Sequence, residues 1–197
     1  MLKLKTSLPH VPRQDIVLMI EDITIPEKVG EVLKVALEME DEGYRTYTEG
    51  AKTIKNSLGK RMLERLAQDE ISHMKRIREV YEALEGNIDW ARVEVQNPQG
   101  SVTFQNIFSR LKNELSQSVQ ELGSHGVDDE EIIETAINLE NHARFYYAES
   151  AKKATDKKVK KFLETLAQEE EGHYQALRNM NSFMADPANW FATQGKF

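Results

Sequence analysis

Leu66-Ala67-Gln68-Asp69-Glu70-Ile71-Ser72-His73 recurs 100 residues later as Leu166-Ala167-Gln168-Glu169-Glu170-Glu171-Gly172-His173. Each copy carries Glu-x-x-His, and the chain has no third instance. Side chains three apart on a helix lie on one face. The neighbours say which face. Met62, Leu66, Glu70, His73, Ile77, Val80 and Leu84 are spaced by three and four residues. So are Val159, Phe162, Leu166, Glu170, His173, Leu177, Met180 and Met184. That spacing turns one stripe of a helix toward the core. Both Glu and both His therefore sit at core positions, where an unpartnered charge is costly.

Thirty residues before each of these Glu stands another on an apolar stripe. Val29, Leu33, Ala36, Glu40, Gly43, Tyr47, Ala51 and Ile54 form the first stripe. Ile133, Ala136, Glu140, Ala143, Tyr147, Ala151 and Ala154 form the second. Residues 31–90 and 131–190 align without a gap, with identities such as Ala36/Ala136, Tyr47/Tyr147, Leu66/Leu166 and Trp90/Trp190. So long a period is not a solenoid. It means one helical hairpin used twice, related by a pseudo-two-fold axis. With a turn near residue 56, Glu40 and Glu70 both lie roughly 21–24 Å from it, since a helix rises about 1.5 Å per residue. They face each other at one level. The same arithmetic about Asp156 sets Glu140 level with Glu170.

Other segments frame the hairpins. Residues 1–25 form an N-terminal arm containing the apolar run Ile16-Val17-Leu18-Met19-Ile20. The first hairpin spans 26–85, starting at Thr24-Ile25-Pro26-Glu27 with Thr24 as cap, turning at Asn56-Ser57-Leu58-Gly59 and closed by Gly86. Residues 86–127 form a long crossover with an extra amphipathic helix over 103–122, marked by Phe104, Phe108, Leu111, Leu115 and Leu122. The second hairpin spans 128–186, opening on the acidic Asp128-Asp129-Glu130-Glu131 and ended by Pro187. Residues 187–197 form a tail. The whole chain, 1–197, reads as a single all-α domain.

Composition narrows the function. Charged residues are 30% and apolar ones 40%, which suits a packed helical protein rather than a disordered one. There is no cysteine, so disulfides and thiolate metal sites are excluded. A net charge of −7 argues against nucleic acid as a partner. No apolar run approaches the roughly 20 residues of a membrane helix. No secretory signal is evident, so a cytoplasmic location is expected. Lys157, Lys158, Lys160 and Lys161 read as a solvated face. His142 follows Glu140 by two and is expected to face away from it, at the surface. Glu49 and Glu149 fall off the stripes and are expected to be exposed.

The two hairpins together place Glu40, Glu70, His73, Glu140, Glu170 and His173 in one layer. No Lys or Arg on the stripes neutralises that level. Two divalent cations would balance the four carboxylates. Oxygen and imidazole donors suit iron or manganese, with zinc an alternative. Tyr47 and Tyr147 lie two turns along from Glu40 and Glu140, placed to hydrogen-bond a metal carboxylate.

Ala36-Leu37-Glu38-Met39-Glu40 with Tyr47 and Leu66 to His73, and Ala136-Ile137-Asn138-Leu139-Glu140 with Tyr147 and Leu166 to His173, resemble the two halves of the rubrerythrin branch of the ferritin-like superfamily. The resemblance covers about residues 27–185. It implies a ferritin-like four-helix bundle made of two repeated hairpins with a long crossover, holding two iron ions. Glu40, His73, Glu140 and His173 are the implied terminal ligands, and Glu70 and Glu170 the implied bridges. Two departures stand out. The family's additional metal-site Glu, three residues after the third-helix Glu, is Ala143 here. The cysteine-bearing rubredoxin module that usually accompanies the bundle has no counterpart. The implied activity is an oxidoreductase that reduces peroxide or dioxygen and is rereduced by an external electron donor. The alternatives are a ferroxidase or iron-handling protein without a dedicated substrate, and a bundle whose metals are purely structural. A homodimer is expected, because the arm and the extra helix offer apolar surface.

Overall fold

The computed structural model describes residues 24–95, 103–108 and 127–193, and every regular element among them is a helix. Helix α1 is Val29–Thr53 and α2 is Ser57–Leu84. A 3-10 turn at Trp90–Arg92 and a helical segment at 104–108 follow. Helix α3 is Val127–Lys153, α4 is Lys157–Ala185 and α5 is Pro187–Thr193. No described helix is long and apolar enough to cross a membrane. Residues 1–23 of the expected arm, and 109–122 of the expected extra helix, lie outside the described residues.

The helix ends follow local chemistry. The Asn56 side chain accepts the Gly59 N–H at 2.8 Å and caps α2. The Asp156 carboxylate accepts the N–H groups of Lys158 and Val159 and caps α4. Gly86 has φ +78°, the left-handed conformation that closes a helix, and Asn87 N–H returns to the Glu82 carbonyl. Two ends differ from expectation. Helix α1 starts at Val29 after Lys28, with no side-chain cap, rather than at Thr24. Ile25 is instead buried in the core, and its carbonyl accepts from Lys153. Docking that apolar side chain outweighs an earlier helical turn. Pro187 does end α4, but it also opens α5 where a tail was expected. A proline at the first helical position has no N–H to leave unsatisfied, and the Asp186 carboxylate accepts the Asn189 N–H. The new helix carries Trp190 into an aromatic cluster with Phe104, Phe108 and Phe183.

Helix α1 packs along α2, and α3 along α4, while α1 meets α3 and α2 meets α4 across the bundle. The core divides into two clusters. One contains Tyr47, Leu63, Leu66, Ile133, Ala136, Leu177 and Met180. The other contains Tyr147, Leu163, Leu166, Leu33, Ala36, Ile77 and Val80. Each of the seven residues named for the first has its repeat mate, 100 positions away, in the second. The two halves therefore run in opposite directions about a pseudo-two-fold axis. Glu40, Glu70, Glu140 and Glu170 belong to neither cluster and lie between them. At the first cluster's end, the buried Asp129 carboxylate accepts Lys55 N–H at 3.0 Å and Asn56 N–H at 2.8 Å, tying the start of α3 to the first turn.

Candidate metal centre

One residue from every long helix enters the polar layer, and α2 and α4 each give a second. Glu40, Glu70, His73, Glu140, Glu170 and His173 are all between 0% and 3% exposed. They form two groups of four. In the first, ligand atoms of Glu40, Glu70, His73 and Glu170 lie within 4.8 Å of one another, and in the second those of Glu70, Glu140, Glu170 and His173 do. Glu70 and Glu170 belong to both. His73 Nδ1 lies 3.0 Å from Glu40 and 2.9 Å from Glu170. His173 Nδ1 lies 3.4 Å from Glu140 and 2.9 Å from Glu170. The two imidazoles stack at 5.5 Å between centroids. So the six residues singled out by spacing converge on one place.

The tyrosines bind across the bundle rather than within their own hairpin. Tyr47 donates to Glu140 at 2.8 Å, and Tyr147 donates to Glu40. Burial, then the Glu140 and Glu70 charges, pushes the Tyr47 phenol well up, and burial and the Glu40 charge do the same to Tyr147. Both stay protonated as donors.

Two further carboxylates escaped the periodicity. Asp69 is fully buried and lies 3.3 Å from His173 Nε2. Glu169 lies 3.2 Å from His73 Nε2. Each backs the histidine of the other hairpin, so every imidazole has one nitrogen toward the six-residue layer and one toward an outer carboxylate. The residue before the motif Glu is acidic in both copies, and that was the available signal. The outer pairs are anchored unequally. Asp69 meets Arg65 at 3.0 Å, whose side chain is 30% exposed. Glu169 is held through both oxygens by the fully buried Arg76, which also donates to the Val95 carbonyl at 3.0 Å. The repeat mate of Arg76 is Ala176. Arg76→Met is expected to lower the stability of the metal-free protein by about 3 kcal/mol, because it leaves a largely buried carboxylate short of its charge partner. Urea unfolding measures this, and a loss below about 1 kcal/mol would mean that the pair is solvated enough to be dispensable.

Proton affinities in the layer are far from ordinary. Burial, then Glu40 and Glu170, pushes Glu70 well up. Burial and the Glu170 charge hold Glu140 at about 8 against the pull of His173. Burial alone would lower both imidazoles. Glu170 and Glu40 around His73, and Glu140 and Glu170 around His173, overcome it and hold both well above the usual value. Glu170 goes the other way, since His73 and His173 outweigh its burial. Metal-free, the layer balances its own charge with protons.

Metal ions fit the same donors. Each group offers three carboxylates and one imidazole, a set that suits iron, manganese or zinc. Glu170 Oε1 is buried and makes no aligned hydrogen bond despite its proximity to His73. Between α1 and α3 a cleft of about 80 Å³ has Glu70 and Glu170 among its walls, with Gly43, Ala143, Met39 and Leu139 around them. His142, expected to face away, is half-buried and lines this cleft, with Glu42 nearby on α1. Glu49 is exposed as expected, at 70% of its side chain, and Glu149 is open to solvent at 44%.

Comparison with curated proteins and with solved structures gave no match. Residues 31–181, which carry all six buried Glu and His of the layer, match the rubrerythrin family. The chain belongs to the rubrerythrin family, and its helical bundle is of the ferritin-like class.

Proposed function

We propose that the protein is a di-iron oxidoreductase that reduces peroxide or dioxygen. The observation that supports this most is the cleft, because the two carboxylates common to both groups help to form it. Its roughly 80 Å³ holds a few water molecules, each of which needs at least about 10–15 Å³ of such space. Pockets for drug-sized organic ligands run to about 300–1,000 Å³. An oxidant of two to four heavy atoms suits the space.

In this reading Glu40 and His73 would hold one ion and Glu140 and His173 the other, with Glu70 and Glu170 available to both. When bound, two ferrous ions supply one electron each, enough with two protons to take hydrogen peroxide to two waters. The protein residues do the rest. Asp69 accepts from Nε2 of His173 and Glu169 stands beside Nε2 of His73, an arrangement that favours a proton on each Nε2 and would leave each Nδ1 lone pair for metal. Tyr47 and Tyr147 hold Glu140 and Glu40 in place by donating to one oxygen of each. The apolar clusters on both sides keep bulk water from the layer. With no cysteine in the chain, rereduction falls to an external donor.

The test is anaerobic Fe(II) titration of metal-free protein, then a pulse of hydrogen peroxide followed by absorbance. Two irons bound per chain and rapid oxidation by peroxide are expected. Slow oxidation by peroxide beside fast oxidation by dioxygen with iron release would favour ferroxidase action. Fewer than two irons per chain would remove the di-iron reading.

A further inference from the structure

The two hairpins repeat the layer but not what surrounds it. On α2, Lys75, Arg76 and Glu79 hold the segment that follows the first hairpin. Lys75 meets the Glu94 carboxylate at 3.1 Å, Arg76 donates to the Val95 carbonyl at 3.0 Å, and Glu79 accepts the Glu94 N–H at 3.3 Å. Their repeat mates on α4 are Gln175, Ala176 and Asn179. The fully buried guanidinium of Arg76 therefore has no counterpart in the second hairpin.

This difference reaches the imidazoles. Arg76 grips both oxygens of Glu169. So held, Glu169 stands 3.2 Å from His73 Nε2, and that nitrogen makes no aligned hydrogen bond. Asp69 is held more loosely. Arg65 Nη2 stands 3.0 Å from its Oδ1, on a side chain 30% exposed. Asp69 Oδ2 is left to bond His173 Nε2 at 3.3 Å. Two effects follow, with the same sign. A carboxylate that accepts the outer N–H of a ligand imidazole makes the other ring nitrogen a stronger donor. Asp69 does this for His173, while Glu169 is turned to Arg76. The buried Arg76 charge also stands on the His73 side, where little water screens it, whereas water reaches Arg65. Both effects disfavour a cation beside His73.

We propose that Arg76 is a positioning residue that makes the two metal positions unequal, so that Glu140 with His173 takes the first divalent cation and Glu40 with His73 the second. This rests on the two-ion reading of the layer above. Glu70 and Glu170 belong to both groups and do not choose between them. The tyrosines do not choose either, since one serves Glu140 and the other Glu40. Changes in an outer partner are typically worth 10–100-fold in metal affinity, so the two binding steps should stand at least about 10-fold apart. The ion beside His73 is then the exchangeable one.

The experiment is zinc titration of metal-free protein carrying histidine isotopically labelled at its ring nitrogens, followed by NMR, with calorimetry alongside. His73→Gln and His173→Gln assign the two buried rings. The His173 ring is expected to respond over the first equivalent of zinc and the His73 ring over the second. Arg76→Gln releases Glu169 to His73, and is expected to bring the two steps within about 3-fold and the two rings into parallel response. Asp69→Asn weakens the backing of His173 instead, and is expected to reverse the order; it is decisive even where Arg76→Gln fails to fold. A purely structural Arg76 would lower stability and leave the order of the rings alone. In the wild type, rings that respond together, or His73 ahead of His173, would overturn the proposal. So would either variant with the wild-type order and spacing. Two zinc ions bound without order overturn this proposal alone. Fewer than two per chain overturn the two-ion reading and this proposal together.

Discussion

Glu70→Gln and Glu170→Gln are expected to abolish two-metal binding alike, yet to move the stability of the metal-free protein in different ways. Both residues belong to both four-residue groups. An amide cannot bridge two cations, so each variant should lose at least about 100-fold in affinity, beyond the 10–100-fold typical of removing a mere supporting partner. Without metal the two carboxyls stand in different fields. Burial and the charges of Glu40 and Glu170 push the Glu70 carboxyl well up, toward its neutral form. A neutral amide of the same size replaces it with little loss. Glu170 is held ionised because His73 and His173 both face it. Its amide leaves two buried imidazolium groups short of a counter-charge, at a cost of about 3 kcal/mol or more. Calorimetric metal titration and thermal unfolding of metal-free protein check both halves. Wild-type stoichiometry in either variant would refute the shared-ligand assignment. Equal losses of metal-free stability would refute the difference in protonation.

Raising the pH should destabilise the metal-free protein and tighten its hold on metal. Glu70, Glu140, His73 and His173 all bind protons more tightly in the folded chain than in the unfolded one. Stability from such groups is complete below their ordinary values and disappears as pH climbs through the folded values. For Glu140 the window runs from 4.5 to about 8. Glu170 has the opposite sign, but its window lies below 4.5. The melting temperature of metal-free protein should therefore fall between about pH 5 and pH 8, by an amount worth several kcal/mol. Glu140→Gln, which cannot titrate, should flatten part of that slope. Metal ions displace the same protons, so affinity rises over the same range and binding releases acid. Thermal melts with and without zinc, and proton release followed by an indicator dye, read both effects. A metal-free melting temperature that rises from pH 5 to pH 8 would contradict the buried cluster of shared protons.

The sequence by itself determined the six-residue layer. Glu40, Glu70, His73, Glu140, Glu170 and His173 could be found because each lies on its helix's apolar stripe, and the stripe depends only on 3.6-residue periodicity. The repeat added that the halves match. It also predicted that Glu40 lies level with Glu70 and Glu140 with Glu170; in the structure Glu40 meets His73 and Glu140 meets His173, one turn along. The turns at Asn56 and near Asp156 and the closing Gly86 were equally local and equally legible.

What crosses between hairpins was not legible. Tyr47 serves Glu140 and Tyr147 serves Glu40, because the two halves run in opposite directions and bring each tyrosine beside the other half's carboxylate. Asp69 and Glu169 sit one residue off the stripe, yet a neighbouring hairpin buries the side of the helix that a single stripe leaves to solvent. Trp90 and Trp190 match in sequence, but among the described residues only Trp190 is carried into an aromatic cluster, by a helix that its own stretch did not announce. His142 lines the cleft for a similar reason: Glu42 and Met39 on α1 stand across the opening from it. Periodicity reports how a helix faces its own core. Only the tertiary structure sets the packing of one helix against another, and with it the outer carboxylates, the crossed tyrosines and the opening through which a substrate would reach the layer.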